Sequence, residues 1–167
     1  MSKIGLIYGS DGGNTEDVVI RLSKLLGKDN VDLKEVSDTS SNEISTYEKL
    51  ILASSTWGDG DLQSDWDDFE SNLDNVDFKG KTVALIGLGD QDGYGDSFCE
   101  SIALLYDKVK DANVIGQTST DGYDFASSNA VEDDHFLGLA IDEDNQDDLT
   151  DKRLEDWANQ IKGDLGL

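Results

Sequence analysis

Short apolar runs that end in glycine or small polar residues alternate with amphipathic stretches along the whole chain. The first run, residues 3–8, is rich in branched side chains and lacks polar alternation, which is typical of a parallel strand buried on both faces. Residues 31–36, 50–53, 81–88 and 114–117 predict four further strands. This alternation predicts a three-layer α/β/α domain around a five-stranded parallel sheet.

Apolar residues at helical spacing predict four helices between and after these strands. They cover approximately residues 16–26, 66–73, 98–109 and 150–161, and Thr150 is the candidate N-cap of the last one. A polar, Asp-rich stretch follows the start of the fifth strand and interrupts it, so we predict an insertion at about residues 118–141. Because no linker composition is found, residues 1–167 are interpreted as a single domain.

The charge of the chain restricts its partners. Lys and Arg number 13 against 37 for Asp and Glu, which gives a net charge of −24. Phosphate-rich partners would be repelled, so nucleic acids and anionic membranes are excluded and a cationic protein surface is favoured. A salt-adapted, solvated surface is the alternative explanation of the acid excess.

Other functions are excluded by what the composition lacks. One Cys and one His leave no disulfide framework, iron–sulfur site or His-rich zinc site. Cys99 is expected to be a small buried residue and His135 a surface residue. No run reaches the ~18 apolar residues of a membrane span, and the N-terminus is unlike a signal peptide, so we expect a soluble, cytoplasmic protein.

In an open parallel sheet, ligands bind where the carboxyl ends of the strands meet. After the first strand, residues 10–16 combine glycines and hydroxyls with the start of a helix, an arrangement that can bind phosphate through backbone N–H groups. This loop lacks the Gly-Lys-Ser/Thr core of a Walker loop and contains no Lys or Arg. An ordinary strand-to-helix turn is the alternative.

Two aromatic residues follow neighbouring strands at the same predicted edge. Trp57 lies in the loop after the third strand, and Tyr94 lies in the Gly-rich loop after the fourth. Aromatic side chains on adjacent loops could enclose one flat ring. Alternatively, Trp57 folds onto the rim of the domain and Tyr94 belongs to a surface turn.

These three loops resemble those of the long-chain flavodoxin family, and the resemblance extends over residues 3–167. Residues 10–15 match the family's phosphate loop T/S-x-T-G-x-T, Thr56-Trp57 matches its T-W loop, and residues 87–94 match its G-x-G-D-Q-x-x-Y loop. Residues 119–123 and 138–146 match the insertion that distinguishes long from short members. The resemblance implies the strand order 2-1-3-4-5, with the last strand interrupted.

The resemblance also implies non-covalently bound FMN. Backbone amides of residues 10–15 would hold its phosphate, Trp57 and Tyr94 would cover its isoalloxazine ring, and Asp144 would contact the ribityl or phosphate side. The implied cofactor-binding residues are Ser10, Asp11, Gly12, Gly13, Asn14, Thr15, Ser55, Thr56, Trp57, Gly58, Asp59, Gly60, Leu88, Gly89, Asp90, Tyr94 and Asp144.

Two positions depart from the family pattern. Gly12 stands where Thr or Ser is usual, which removes one phosphate hydroxyl, worth about 1 kcal/mol of binding free energy. Ser55 stands where Pro is usual, which loosens the loop in the unfolded and cofactor-free states. Neither change abolishes the site.

No nucleophile–base pair is found, so the resemblance implies a low-potential one-electron carrier rather than an enzyme. Rotation of the Gly58 peptide is expected to stabilise a neutral semiquinone, because positive φ costs glycine little. The implied partners are redox proteins with basic docking faces, such as a ferredoxin–NADP reductase, and the implied state is a monomer.

Three alternatives from other classes are open at this point. A quinone or nitro reductase on the same fold would oxidise NAD(P)H directly. A phospho-receiver domain would need a phosphoacceptor Asp after the third strand, where this chain has Ser-Ser-Thr-Trp. A flavin-free homologue is the third alternative, because Gly12 removes one hydroxyl from the phosphate loop.

Overall fold

The computed structural model describes residues 3–9, 13–57 and 60–167. Its strands are β1 (Ile4–Gly9), β2 (Val31–Glu35), β3 (Lys49–Trp57), β4 (Asp61–Leu62), β5 (Thr82–Leu88), β6 (Asn113–Ile115), β7 (Thr118–Ser119), β8 (Val131–Glu132), β9 (His135–Phe136) and β10 (Leu139–Ile141). Its helices are α1 (Asn14–Leu26), α2 (Ser41–Ser45), α3 (Ser64–Phe69), α4 (Ser101–Val109) and α5 (Asp147–Ile161). Short 3-10 segments follow α1, β2 and α3.

The main sheet confirms the predicted strand order. β2, β1, β3 and β5 lie side by side in parallel, and both β6 and β10 pair in parallel with β5. β6 pairs with the first half of β5 and β10 with its second half, so these two short strands are the interrupted fifth strand. The predicted end of the insertion at Ile141 was wrong, because residues 139–141 have already returned to the sheet.

Each face of the sheet is covered by its own hydrophobic core. α1 and α5 cover one face, where Leu22 and Trp157 pack against strand residues such as Leu6. α2, α3 and α4 cover the other face, where Trp66 and Ile102 are fully buried. Alternate strand residues point to opposite faces, which is why the strands read as continuous apolar runs in the sequence.

Several helix boundaries differ from the prediction. Thr150 is not the N-cap of the last helix: α5 begins at Asp147, and Thr150 is buried within it. α4 begins at Ser101 rather than Phe98, after a turn in which Cys99 has a positive φ of 53°. α3 covers residues 64–69 and continues as a 3-10 segment, and the short helix α2 and strand β4 were not predicted.

The insertion is anchored by aromatic packing. Its three short strands form a small antiparallel sheet in the order β7-β9-β8. The ring of Phe136 lies edge-on to those of Tyr123 and Phe98, and the Arg153 guanidinium lies 4.0 Å from the centre of the Tyr123 ring. Phe125 also packs against Phe98 and Phe136. The aromatic residues of the insertion therefore fix this polar segment to Phe98 and Arg153 in the rest of the domain.

Within the described residues, no helix is long and apolar enough to cross a membrane.

Candidate functional site

A groove of about 250 Å³ opens at the carboxyl edge of the main sheet. The start of α1, the ends of β3 and β5, and the segments after β5 and β10 contribute to it, as expected for a parallel α/β sheet. Trp57, predicted in the loop after the third strand, is instead the last residue of β3. Ten of the residues expected from the sequence lie around it, together with Glu143. The lining residues are Asn14, Thr15, Ser55, Thr56, Trp57, Leu88, Gly89, Asp90, Tyr94, Glu143 and Asp144.

Two exposed aromatic side chains form the walls of this groove. Trp57 is 49% exposed and Tyr94 is 51% exposed, although large aromatic residues are usually buried. The Trp57 indole Nε1 donates a hydrogen bond to Ser55 Oγ at 2.8 Å, and the backbone of Trp57 pairs with Asp61 of β4. The strand-like pairing and this hydrogen bond hold the Trp57 ring at the groove even though half of it faces solvent.

The end of β3 is fixed to the start of α4 by hydroxyl groups. Thr56 Oγ1 donates to Ser101 Oγ at 2.9 Å and accepts from the Ser101 backbone N–H at 3.2 Å. Ser101 Oγ in turn donates to the backbone carbonyl of Ser54 at 3.1 Å. This network satisfies one of the free N–H groups at the start of α4 and fixes the backbone next to Trp57.

The floor of the groove is closely packed at Gly89. Its backbone N–H donates to the carbonyl of Ile141 at 3.0 Å, which joins the loops after β5 and β10. A Cβ at this position would lie 2.8 Å from the Cys99 backbone nitrogen and 3.0 Å from Cys99 Sγ, so no side chain fits there. Cys99 is completely buried, as expected, and burial raises the pKa of its thiol.

The first turn of α1 provides the polar end of the groove. Asn14 and Thr15 line it, and the helix begins beside Gly13, whose φ of 87° turns the chain into the helix. An α-helix has free N–H groups and a partial positive charge at this end, both of which favour an anion. Ser10, Asp11 and Gly12, the rest of the predicted phosphate loop, lie outside the described residues.

Acidic side chains surround the groove, and their environments differ. Hydrogen bonds from the Gly93 backbone N–H and from Asn145 lower the pKa of Asp90. Burial and the neighbouring carboxylates of Asp90 and Asp142 raise the pKa of Asp144. Burial also raises the pKa of Glu143, although the Arg21 guanidinium 3.7 Å away opposes the increase. No Lys or Arg is found among the described residues that line the groove.

The remaining predicted residues fall outside this lining. Gly13 and Gly60 are adjacent to the groove in sequence but do not line it, and Gly58 and Asp59 lie outside the described residues. Glu143 was missed, although it directly precedes Asp144 in the stretch that resembles the flavodoxin insertion. His135 is exposed on β9, as expected.

A larger depression of about 490 Å³ lies elsewhere, between the segment after β2 and helix α3. It is shallow, and most of the residues on its walls are of polar type, such as Ser40, Asp65 and Asn72, with Phe69 as its aromatic residue. None of the residues that the sequence predicts for a site lies there. The aromatic groove at the sheet edge is therefore the better candidate for a ligand site.

The sheet order and the two-aromatic groove define a flavodoxin-like domain, and comparison with known proteins agrees. The family model described as Flavodoxin matches residues 6–157. A flavodoxin of Helicobacter pylori is 48% identical over 163 residues, which cover 98% of each chain. A flavodoxin of Nostoc sp. is 46% identical over 167 residues, which cover 99% of this chain and 98% of that one.

Solved structures give the same result. The flavodoxin of Fusobacterium nucleatum bound to flavin mononucleotide superimposes with a TM-score of 0.93 at 39% identity, over 98% of this chain and 99% of that one. The chain therefore belongs to the flavodoxin family. Members of this family are electron-transfer proteins rather than enzymes. Family membership also excludes the phospho-receiver alternative.

Proposed function

We propose that this protein binds FMN non-covalently in the aromatic groove and carries electrons one at a time between redox proteins. The observation that supports this most directly is the pair of half-exposed rings, Trp57 and Tyr94, at one groove beside the start of α1. The similar Fusobacterium nucleatum flavodoxin was solved with flavin mononucleotide bound, which supports the same cofactor here.

The described residues fit the chemical parts of FMN. The aromatic walls suit a flat ring, and the N-terminus of α1 with Asn14 and Thr15 suits a phosphate. Asp144 would lie on the ribityl or phosphate side. When bound, FMN supplies the electron-transfer chemistry, and the protein supplies binding, orientation and electrostatics.

The charges around the groove favour a low reduction potential. Asp90, Glu143 and Asp144 line it and no described cation does, so a negative charge that develops on the flavin would be disfavoured. We also propose that the neutral semiquinone accumulates, with the Gly58 backbone carbonyl accepting the new N–H. Gly58 lies outside the described residues, so this assignment remains a prediction from the sequence.

The proposal is tested by adding FMN to the cofactor-free protein and then reducing the complex stepwise under anaerobic conditions. We expect tight binding that quenches flavin fluorescence, followed by a broad absorption band near ~580 nm at intermediate reduction. Direct oxidation of NAD(P)H without an added reductase would instead support the flavin-enzyme alternative. No binding of FMN would support a flavin-free homologue.

The distribution of charge supports a basic partner. Lysines such as Lys3, Lys49 and Lys81 stand at the amino ends of strands, whereas the groove lies at the opposite, acidic edge. A ferredoxin–NADP reductase or a similar protein with a basic face would be steered toward that edge. Such steering raises the association rate without tight binding, which suits a carrier that must dissociate quickly. A monomeric state and a cytoplasmic location remain predictions.

Electron transfer from a basic reductase is expected to slow by roughly tenfold or more between about 10 mM and 500 mM salt, because screening shortens the range of electrostatic attraction. Stopped-flow measurement of the second-order rate constant checks this. Reduction by a neutral small molecule is the control and should change little. A protein-partner rate that does not fall would indicate that the acid excess is a salt adaptation rather than a steering device.

A further inference from the structure

Asp142 is a fully buried carboxylate directly after β10, between the two loops that line one side of the groove. Its Oδ2 accepts a hydrogen bond from the Gln91 backbone N–H at 3.0 Å and another from Gln91 Nε2 at 2.7 Å. These two bonds join the loop after β10 to the loop after β5. The two residues are 51 positions apart in the chain, so this is a tertiary contact.

The other oxygen of Asp142 organises its own loop. Oδ1 accepts from the backbone N–H groups of Asp144 at 3.1 Å and Asn145 at 3.0 Å. Asn145 Nδ2 contacts both oxygens of Asp142 and also donates to Asp90 Oδ1 at 2.7 Å. A hydrogen-bond network therefore joins the two loops. It consists of Asp142, Asn145, Asp90 and Gln91.

This hydrogen-bond network extends to Tyr94, one of the two aromatic walls of the groove. Asp90 Oδ1 also accepts from the Gly93 backbone N–H at 2.8 Å, and the backbone carbonyl of Asp90 accepts from the Tyr94 N–H at 2.9 Å. At its other end, Gln91 Oε1 accepts from the Asp124 backbone N–H, which lies in the insertion. The same hydrogen-bond network thus connects the insertion with the turn that contains Tyr94.

A buried carboxylate is stable only when hydrogen bonds replace the water that it has lost. Asp142 forms no ion pair within residues 3–9, 13–57 and 60–167, so N–H donors alone compensate its charge. Removing the acceptor would leave the buried Gln91 N–H and the part-buried N–H groups of Asp144 and Asn145 without this partner at the same time. The loops would then separate or admit water.

Asp142 itself does not line the groove. Three residues that do are connected to it: Asp144 directly, Asp90 through Asn145, and Tyr94 through the Asp90 carbonyl. We propose that Asp142 is a positioning residue that fixes the Tyr94 loop against the loop after β10 and so sets the geometry of the flavin site. The part of this proposal that concerns flavin rests on the proposed function. The coupling between the two loops does not.

The test compares the wild type with Asp142→Asn, which keeps the shape but replaces one acceptor oxygen with a donor. In the cofactor-free protein, we expect backbone amide exchange at Gln91, Gly93 and Asn145 to become about tenfold faster. In the same variant, we expect the Kd of FMN to rise about tenfold and flavin fluorescence to be less quenched. Both readouts respond to loop geometry.

Two controls separate a positioning role of Asp142 from the effect of its charge and from a general loss of protein stability. Asp142→Asn combined with Gln91→Glu restores a donor–acceptor pair at the wild-type net charge, and it should recover part of both effects. Leu26→Ala removes a buried side chain in the last turn of α1, far from the groove, so it should lower stability without changing either readout.

The outcomes distinguish the two proposals. A wild-type protein that binds no FMN contradicts the proposed function, and faster amide exchange in Asp142→Asn would still support the coupling of the loops. A wild-type protein that binds FMN, together with an Asp142→Asn variant whose exchange and Kd are both unchanged, overturns the positioning role alone. If Leu26→Ala produces the same changes as Asp142→Asn, the effect is general destabilisation and the positioning role also fails.

Discussion

Replacing Trp57 with alanine is expected to raise the Kd of FMN about 5- to 150-fold. Stacking of a flat heterocycle on an aromatic side chain contributes about 1–3 kcal/mol when measured by alanine substitution, and 1.4 kcal/mol corresponds to a tenfold change in Kd. Trp57 is held at the groove by its hydrogen bond to Ser55, so its ring is already placed for stacking before the cofactor binds. Fluorescence titration of the cofactor-free variant measures the change.

Trp57→Phe is the matched control for this prediction. Phenylalanine keeps an aromatic face but loses the indole N–H that donates to Ser55, so an intermediate Kd is expected. Because half of the Trp57 side chain faces solvent, the alanine variant should unfold at nearly the same urea concentration as the wild type. An unchanged Kd in the alanine variant would mean that Trp57 only rests on the rim of the domain.

Replacing Trp157 with alanine is expected to lower the free energy of unfolding of the cofactor-free protein by about 3–5 kcal/mol. Trp157 is buried on α5, and its indole Nε1 donates to the carbonyl of Gly116 at 2.8 Å. The substitution would create a cavity between α5 and the sheet and leave that carbonyl without its partner. Urea unfolding followed by far-UV circular dichroism measures the loss.

The two tryptophan substitutions are controls for each other. Trp57→Ala should raise the Kd of FMN and leave the free energy of unfolding nearly unchanged. Trp157→Ala should mainly lower the free energy of unfolding. Trp157→Phe fills most of the cavity but cannot donate to Gly116, so its loss of stability should lie between those of the wild type and the alanine variant. A loss below ~1 kcal/mol for Trp157→Ala would contradict the assigned packing of α5.

The sheet could be predicted from the sequence because its strands are buried on both faces. Residues 83–88, for example, form an apolar run with no polar interruption, and β5 occupies Thr82–Leu88. Boundaries were harder where tertiary contacts decide them. Thr150 looked like a capping residue, but its hydroxyl donates to Glu143 from inside α5 at 3.3 Å. Only the folded chain brings these two residues together in this way.

The groove could be located from the sequence because it requires only that loops follow parallel strands. Asn14, Trp57 and Tyr94 come together because the carboxyl ends of the strands meet at this edge, although each segment alone had an ordinary explanation. Asp142 and its contact with Gln91 were not predicted as functional. Neither residue lines the groove, their side chains bond to each other, and no spacing rule in the sequence reveals that pairing.

The register of the interrupted strand shows how the insertion was accommodated. β6 ends with Ile115 opposite Ala84, and β10 resumes with Leu139 opposite Ile86, so only Leu85 lies between the two pairings. A direct path across that gap would need a single residue, whereas the chain uses the 23 residues 116–138. The insertion therefore leaves β6 and β10 in one continuous register along β5. A shorter chain could cross from Ile115 to Leu139 without shifting any strand, so length variation at this point is compatible with an unchanged sheet.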